Sequence, residues 1–138
     1  MTEPAGRILV VEDNERNMKL VRDVLEASCY ETLEASTGEE AIELARAHAP
    51  ALVLMDVHLP GIDGVAALAR LRGDALTAAI PVVALTAQAM HGDRERFLDA
   101  GFDGYLSKPV DITELVATVR EHCDPGRRPR VDRVVRGP

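Results

Sequence analysis

The chain has 138 residues, enough for one compact domain and a short tail. Its 46% hydrophobic content supports a core, but aromatics at 3% and no Trp make that core aliphatic and argue against a protein that works by stacking on nucleobases. A formal net charge of −7 opposes non-specific binding to nucleic acid or anionic membranes.

The first seven residues contain no apolar stretch of the signal-peptide kind, and no apolar run approaches membrane-spanning length. Cys29 and Cys123 lie far apart without CxxC or His-rich spacing, which argues against a disulfide framework or a zinc site. A cytoplasmic protein is expected, with neither membrane nor direct nucleic-acid contacts.

The first element is Ile8-Leu9-Val10-Val11, a continuous apolar run of the kind a strand shows when buried on both faces of a parallel sheet. Asn14 is a plausible N-cap for a helix carrying Met18, Val21, Val24 and Leu25. A mixed strand over 30–35 precedes a capping-box pattern, Thr37-Gly-Glu-Glu40, and a helix with Ala41, Ile42, Leu44 and Ala45. Leu52-Val53-Leu54-Met55 is a second buried strand, and Val65, Leu68, Ala69 and Leu71 mark the next helix. Val82-Val83-Ala84-Leu85 repeats the strand pattern. A helix over 94–100 follows, stopped by Gly101, which tolerates the left-handed backbone of a helix end. Gly104-Tyr105-Leu106-Ser107 reads as a short last strand, and Asp111-Ile-Thr-Glu114 opens a fifth helix with Leu115, Val116 and Val119.

Five strands, each followed by a helix, imply right-handed crossovers and an α/β, doubly wound, five-stranded parallel sheet. Residues 1–124 form this domain, and 125–138 form a basic tail expected to be disordered for want of apolar surface. From Arg127 to Pro138 the tail carries a formal +4, which leaves −11 on the preceding residues.

Functional groups in such sheets gather at the carboxyl ends of the strands. The first strand ends in Glu12-Asp13-Asn14, the third in Asp56, the fourth in Thr86 and the fifth in Ser107-Lys108-Pro109. Three carboxylates, a hydroxyl and an ammonium therefore share one rim. Each residue alone has an ordinary reading: Glu12-Asp13 as helix-capping acids, Asp56 as a loop acid, Lys108 as a solvated lysine. Together they are complementary. Like charges brought close repel, and a hard divalent cation with oxygen ligands relieves them, Mg2+ where phosphate participates. Lys108 supplies a mobile positive charge and Thr86 a hydrogen-bond donor. This is equipment for phosphoryl transfer onto a carboxylate. Asp56 is the best acceptor, at the end of a central strand and before the turn Leu59-Pro60-Gly61-x-Asp63-Gly64.

The set Glu12-Asp13-Asn14, Met55-Asp56 through Gly64, Pro81-x-x-Ala84-Leu85-Thr86-Ala87 and Tyr105-Leu106-Ser107-Lys108-Pro109 resembles the response-regulator receiver family. The likeness runs from about Arg7 to His122. It implies a flavodoxin-like (βα)5 fold with strand order 2-1-3-4-5. It also implies a phosphorylation switch that takes a phosphoryl group from a histidine kinase or histidine phosphotransfer protein. By this resemblance Asp13 is a direct Mg2+ ligand, Glu12 acts through water, Asp56 is both phosphoacceptor and ligand, and the backbone carbonyl of His58 completes the protein's ligands. Thr86 and Tyr105 match the switch hydroxyl and aromatic, Lys108 the phosphoryl-pairing lysine, and Lys108-Pro109 a cis bond. A downstream protein partner would engage the face of the fourth helix, fifth strand and fifth helix. The stretch 87–94 is similar to receivers of hybrid kinases and stand-alone cell-division regulators. His58 and Gln88, each two residues past a key group, are candidate modulators of phosphoaspartate lifetime.

Cys29 departs from the family pattern, which favours Gly between the first helix and second strand. If it takes positive φ, the cost is on the order of 1 kcal/mol. Cys123 reads as a small apolar filler. Three alternatives stay open: a metal-dependent phosphatase on a related fold, a flavin or nucleotide carrier, and a phosphorylation-independent interaction module. The first lacks a second acid at position 58. The second lacks a Gly-rich phosphate loop. Under the switch reading the chain is no enzyme beyond handling its own phosphoryl group.

Overall fold

The computed structural model describes residues 6–87 and 93–123. The elements in chain order are β1 (Arg7–Val11), α1 (Glu15–Ala27), β2 (Glu31–Ala35), α2 (Gly38–His48), β3 (Leu52–Asp56), α3 (Gly64–Arg72), β4 (Val82–Thr86), α4 (Asp93–Ala100), β5 (Gly104–Ser107) and α5 (Ile112–Cys123). All strand pairs are parallel, in the order β2-β1-β3-β4-β5. The expected doubly wound (βα)5 architecture is the one found. Gln88 and the tail 125–138 lie outside the described residues.

The apolar runs do what their composition requires. Side chains alternate across a strand, so a strand apolar at every position buries both faces. Leu9, Val11, Val53, Met55, Val82 and Ala84 enter a layer with α2, α3 and Phe97 of α4. Their neighbours Ile8, Val10, Leu52, Leu54, Val83 and Leu85 enter the opposite layer with α1 and α5. Both phenylalanines lie in the first layer, edge to face with centroids 6.0 Å apart. Cys123 packs in the second, as expected of a small filler.

Helix ends follow the capping residues. Asn14 Oδ1 accepts from Asn17 N at 3.0 Å, Asp63 from Ala66 N at 2.9 Å, and Asp111 from Glu114 N at 2.9 Å. Thr37 accepts from Glu40 N, but Glu40 reaches back to Ser36 N at 2.9 Å, one residue earlier than a capping box requires. Gly101 closes α4 at φ +112°. Cys29 sits at φ +72°, with Tyr30 N donating to Leu25 O across the end of α1. The helix end has kept its left-handed closure although the residue is not glycine. Ala49 closes α2 in the same way at φ +46°, a position with no cue in the sequence.

Arg72 and Asp103 hold the sheet's lower edge. Arg72 donates to the carbonyls of Ala78, Ile80 and Gly101 and to Asp103 Oδ2. It thereby joins the end of α3 to the approaches of β4 and β5. Asp103 also accepts from Val82 N at 2.8 Å, which fixes the start of β4. Among the described residues no helix is long and apolar enough to cross a membrane.

Candidate functional site

The upper rim is where chain direction leaves side chains free. β1 and β3 are neighbours, yet the chain leaves β1 for β2 on one side and later returns to β3 on the other. The connections diverge there and open a crevice above the strand ends. Glu12, Asp13 and Asp56 occupy it, with one carboxylate oxygen from each all within 4.8 Å of one another.

Asp56 is 3% exposed and Glu12 2%, while Asp13 is open to solvent. Both oxygens of Asp56 are engaged. Oδ1 accepts from His58 N at 2.9 Å, and Oδ2 accepts from Lys108 Nζ at 2.9 Å. Glu12 Oε2 accepts from Asn14 N at 3.1 Å. Its Oε1 stands 2.9 Å from Lys108 Nζ, an ionic contact without hydrogen-bond alignment, so this buried oxygen keeps open lone pairs. Burial pushes the Glu12 carboxyl above its ordinary range; the Asp56 charge adds to the push, and Lys108 and Asn14 N oppose it. For Lys108, burial works against the charge, but bonding to Asp56 and Glu12 outweighs it and holds the ammonium above its usual value.

Three carboxylates against one ammonium leave a formal charge of two negative in a crevice that water reaches from one side. A divalent cation that prefers oxygen fits that charge and that donor set, and Glu12 Oε1, held only by its ionic contact with Lys108, offers it a buried acceptor. Glu12, Asp13 and Asp56 are the side chains that would hold such an ion.

Thr86 ends β4 at 1% exposure, beside the end of β3, where Val57 N donates to Leu85 O. Lys108 N donates to Thr86 O at 2.7 Å, so the strand end carrying the hydroxyl also anchors the lysine. The Lys108–Pro109 bond is cis. Tyr105 is half-buried against Phe97, their centroids 6.0 Å apart. His58 is exposed. Of the residues singled out in the sequence, Glu12, Asp13, Asp56 and Lys108 come together with His58 N at the centre. Thr86 lies next to them, and Tyr105 lies away on the first layer's side of β5.

One contributor shows in the sequence only as part of a turn. Gly64, the first residue of α3, donates its N–H to Val57 O at 2.9 Å. A Cβ there would stand 2.5 Å from the Asp56 carbonyl oxygen and 2.8 Å from Val57 Cα. The start of α3 thus presses on the backbone that carries the acid. The Gly61-x-Asp63-Gly64 spacing, with an N-cap just before the second glycine, was the available cue.

Comparison with known proteins gives a concordant result. A family model described as response regulator receiver domain matches residues 8–120. The polar-differentiation response regulator DivK of Brucella ovis is 45% identical over 115 residues, covering 83% of this chain and 94% of that protein. The receiver domain of a sensor histidine kinase from Pseudomonas aeruginosa superposes with a TM-score of 0.79 at 34% identity, over 86% of this chain and 97% of that one. That crystal structure has a magnesium ion coordinated in its active-site cleft. The receiver domain of a signal transduction histidine kinase from Syntrophus aciditrophicus gives 0.79 at 31%, over 89% and 93%.

Proposed function

The chain belongs to the response regulator receiver domain family, and from that premise we propose that it is a phosphorylation switch with Asp56 as phosphoacceptor. One observation carries the reading: a buried aspartate at the crevice, bonded by a lysine and flanked by two further acids whose excess negative charge matches a divalent cation. Residues 1–124 are the receiver domain in this reading and 125–138 a separate basic tail. The setting is cytoplasmic, with no direct contact to nucleic acid or membrane.

A carboxylate oxygen of Asp56 attacks the phosphorus of a phosphohistidine on a sensor kinase or phosphotransfer protein. The P–N bond breaks as the P–O bond forms, and the departing imidazole takes up a proton. Lys108 moves from the Asp56 carboxylate to a phosphoryl oxygen, which its unbranched stem permits. Mg2+, when bound, neutralises charge on the phosphoryl oxygens. Asp13 and Asp56 would hold it directly, Glu12 would act on it through water, and the His58 carbonyl would contribute from the backbone.

Thr86 donates its hydroxyl to the phosphoryl group, and Tyr105 turns into the space this opens. The shift alters the α4–β5–α5 face, and downstream affinity follows from the population of the two conformations. Water later cleaves the acyl phosphate; the side chains of His58 and Gln88 tune how fast. The chain turns over its own phosphoryl group and is otherwise a regulator.

The test is incubation with acetyl phosphate and Mg2+ followed by intact-mass measurement. Wild type should gain one labile phosphoryl group and Asp56→Asn none. Labelling that survives Asp56→Asn, or wild type that never labels, overturns the assignment.

A further inference from the structure

α2 contributes no side chain to the crevice, yet its first turn bears on the backbone that follows Asp56. Residues 57–63 connect β3 to α3. This connection carries His58, whose N–H donates to Asp56 Oδ1 at 2.9 Å, so its position decides how the carboxylate is held. The start of α3 fixes one end through Gly64 N, and Leu59 is buried in the first layer. Ile62, half-buried, packs on that same layer. A Cβ at Gly38 would stand 2.7 Å from Ile62 Cγ1, 3.1 Å from Ile62 Cδ1 and 3.1 Å from Ile62 O. Side chain and backbone of Ile62 therefore lie directly against α2. The next residue of α2 reaches the same connection: both Glu39 carboxylate oxygens would be 3.3 Å from a Cβ at Gly61.

Gly38 is buried at the first position of α2. No left-handed backbone calls for glycine there; the space taken by Ile62 does. The wall that Ile62 meets is well anchored. Thr37 Oγ1 accepts from Glu40 N at 3.1 Å, Glu40 Oε1 accepts from Ser36 N at 2.9 Å, and Ala41 and Ala45 are fully buried.

We propose that Gly38 and Ile62 are positioning residues for phosphoryl transfer to Asp56. Their contact sets the height of the 57–63 connection and, through it, the His58 N–H against the acid. The connection is then held from two sides, by α3 through Gly64 and by α2 through Gly38, and a larger residue at either glycine moves it. The effect on transfer rests on Asp56 as phosphoacceptor; the hold on His58 does not.

The experiment is a double-variant cycle on the full chain: Gly38→Ala, Ile62→Ala and both together. NMR reads hydrogen exchange of the His58 amide without divalent ions, and intact mass separately reads labelling by acetyl phosphate with Mg2+. Gly38→Ala drives Ile62 outward, and Ile62→Ala removes the support. Each should speed His58 exchange about tenfold and slow labelling about fivefold, the penalty of a shift of about a third of an ångström. In the double variant the added methyl occupies space that the isoleucine vacates, so its effect should fall well short of the product of the two singles. Leu44→Ala, further along α2 and packed on the same layer, controls for lost stability: its Tm should fall while it labels at the wild-type rate. Single effects that multiply in the double variant overturn the proposal. So do singles at wild-type values on both readouts, or a Leu44→Ala chain that labels as slowly as Gly38→Ala. A wild-type chain that never labels sinks the phosphoacceptor reading instead, and the His58 exchange cycle then decides this proposal alone.

Discussion

Gly64→Ala probes how the helix that follows the acid supports it. The new methyl would lie 2.5 Å from the Asp56 carbonyl oxygen, against a practical floor of 3.0 Å, so the two backbones must part by about half an ångström. The hydrogen bond from Gly64 N to Val57 O pulls them together at the same point, so the strain cannot be shed by a side-chain rotation. Overpacking of this kind costs about 2 kcal/mol, which for a chain of this length lowers Tm by about 7 °C. Half an ångström of displacement at the acid should also slow labelling by acetyl phosphate about tenfold. Gly73→Ala is the control. Its φ of −84° suits any residue, and its Cβ would meet Ala69 O at 3.5 Å, so it should stabilise by about 0.5 kcal/mol. Urea unfolding and intact-mass kinetics measure both variants. Gly64→Ala within 0.5 kcal/mol of wild type, labelling at the wild-type rate, would refute the reasoning.

Cys29→Gly and Ala49→Gly each remove a side chain from a left-handed helix end and should each stabilise by about 1 kcal/mol, or roughly 3 °C in thermal melts. A fall in Tm for either would show that the side chain's packing outweighs the backbone strain. Lys108→Ala, measured by urea unfolding at neutral pH without divalent ions, should cost about 3 kcal/mol, because Glu12 and Asp56 lose their shared counter-charge. A cost under 1 kcal/mol would mean that water already screens the acids. Asp74 is held below its ordinary value first by the Leu76 N–H and then by Arg46. A depressed carboxyl contributes stability above its unfolded value of 3.8, and that contribution is lost as pH falls through the folded value. Asp74→Asn should therefore flatten the acid side of the stability profile, and an unchanged slope there would discount the contact.

The central strands were legible because an unbroken apolar run has few other homes, and burial of β1, β3 and β4 on both faces follows from it. The helix starts were legible through Asn14, Thr37 and Asp111, whose side chains act on backbone only three residues away. The rim cluster was legible because a parallel sheet sends every strand's end to one side. Interactions between distant residues were not. Nothing in the sequence marks Arg72 as the partner of carbonyls up to 29 residues away. Nothing indicates that Thr77 is fully buried and bonded to Leu71 O. Ala49 has no left-handed preference to betray its conformation. The closeness of Lys108 to Glu12 as well as Asp56 depends on the relative heights of strand ends, which are set by register.

The two borders of the sheet differ in what they allow. β2 is an outer strand whose exposed acids Glu31 and Glu34 are already paired to Arg7 and Arg22. A foreign strand aligning there would have to strip water from charges that it does not neutralise, so that border resists extension. Fibre growth by strand addition needs a receptive border at each end of every unit. With one border barred, two molecules could at most meet edge to edge through β5, and assembly would stop at the pair.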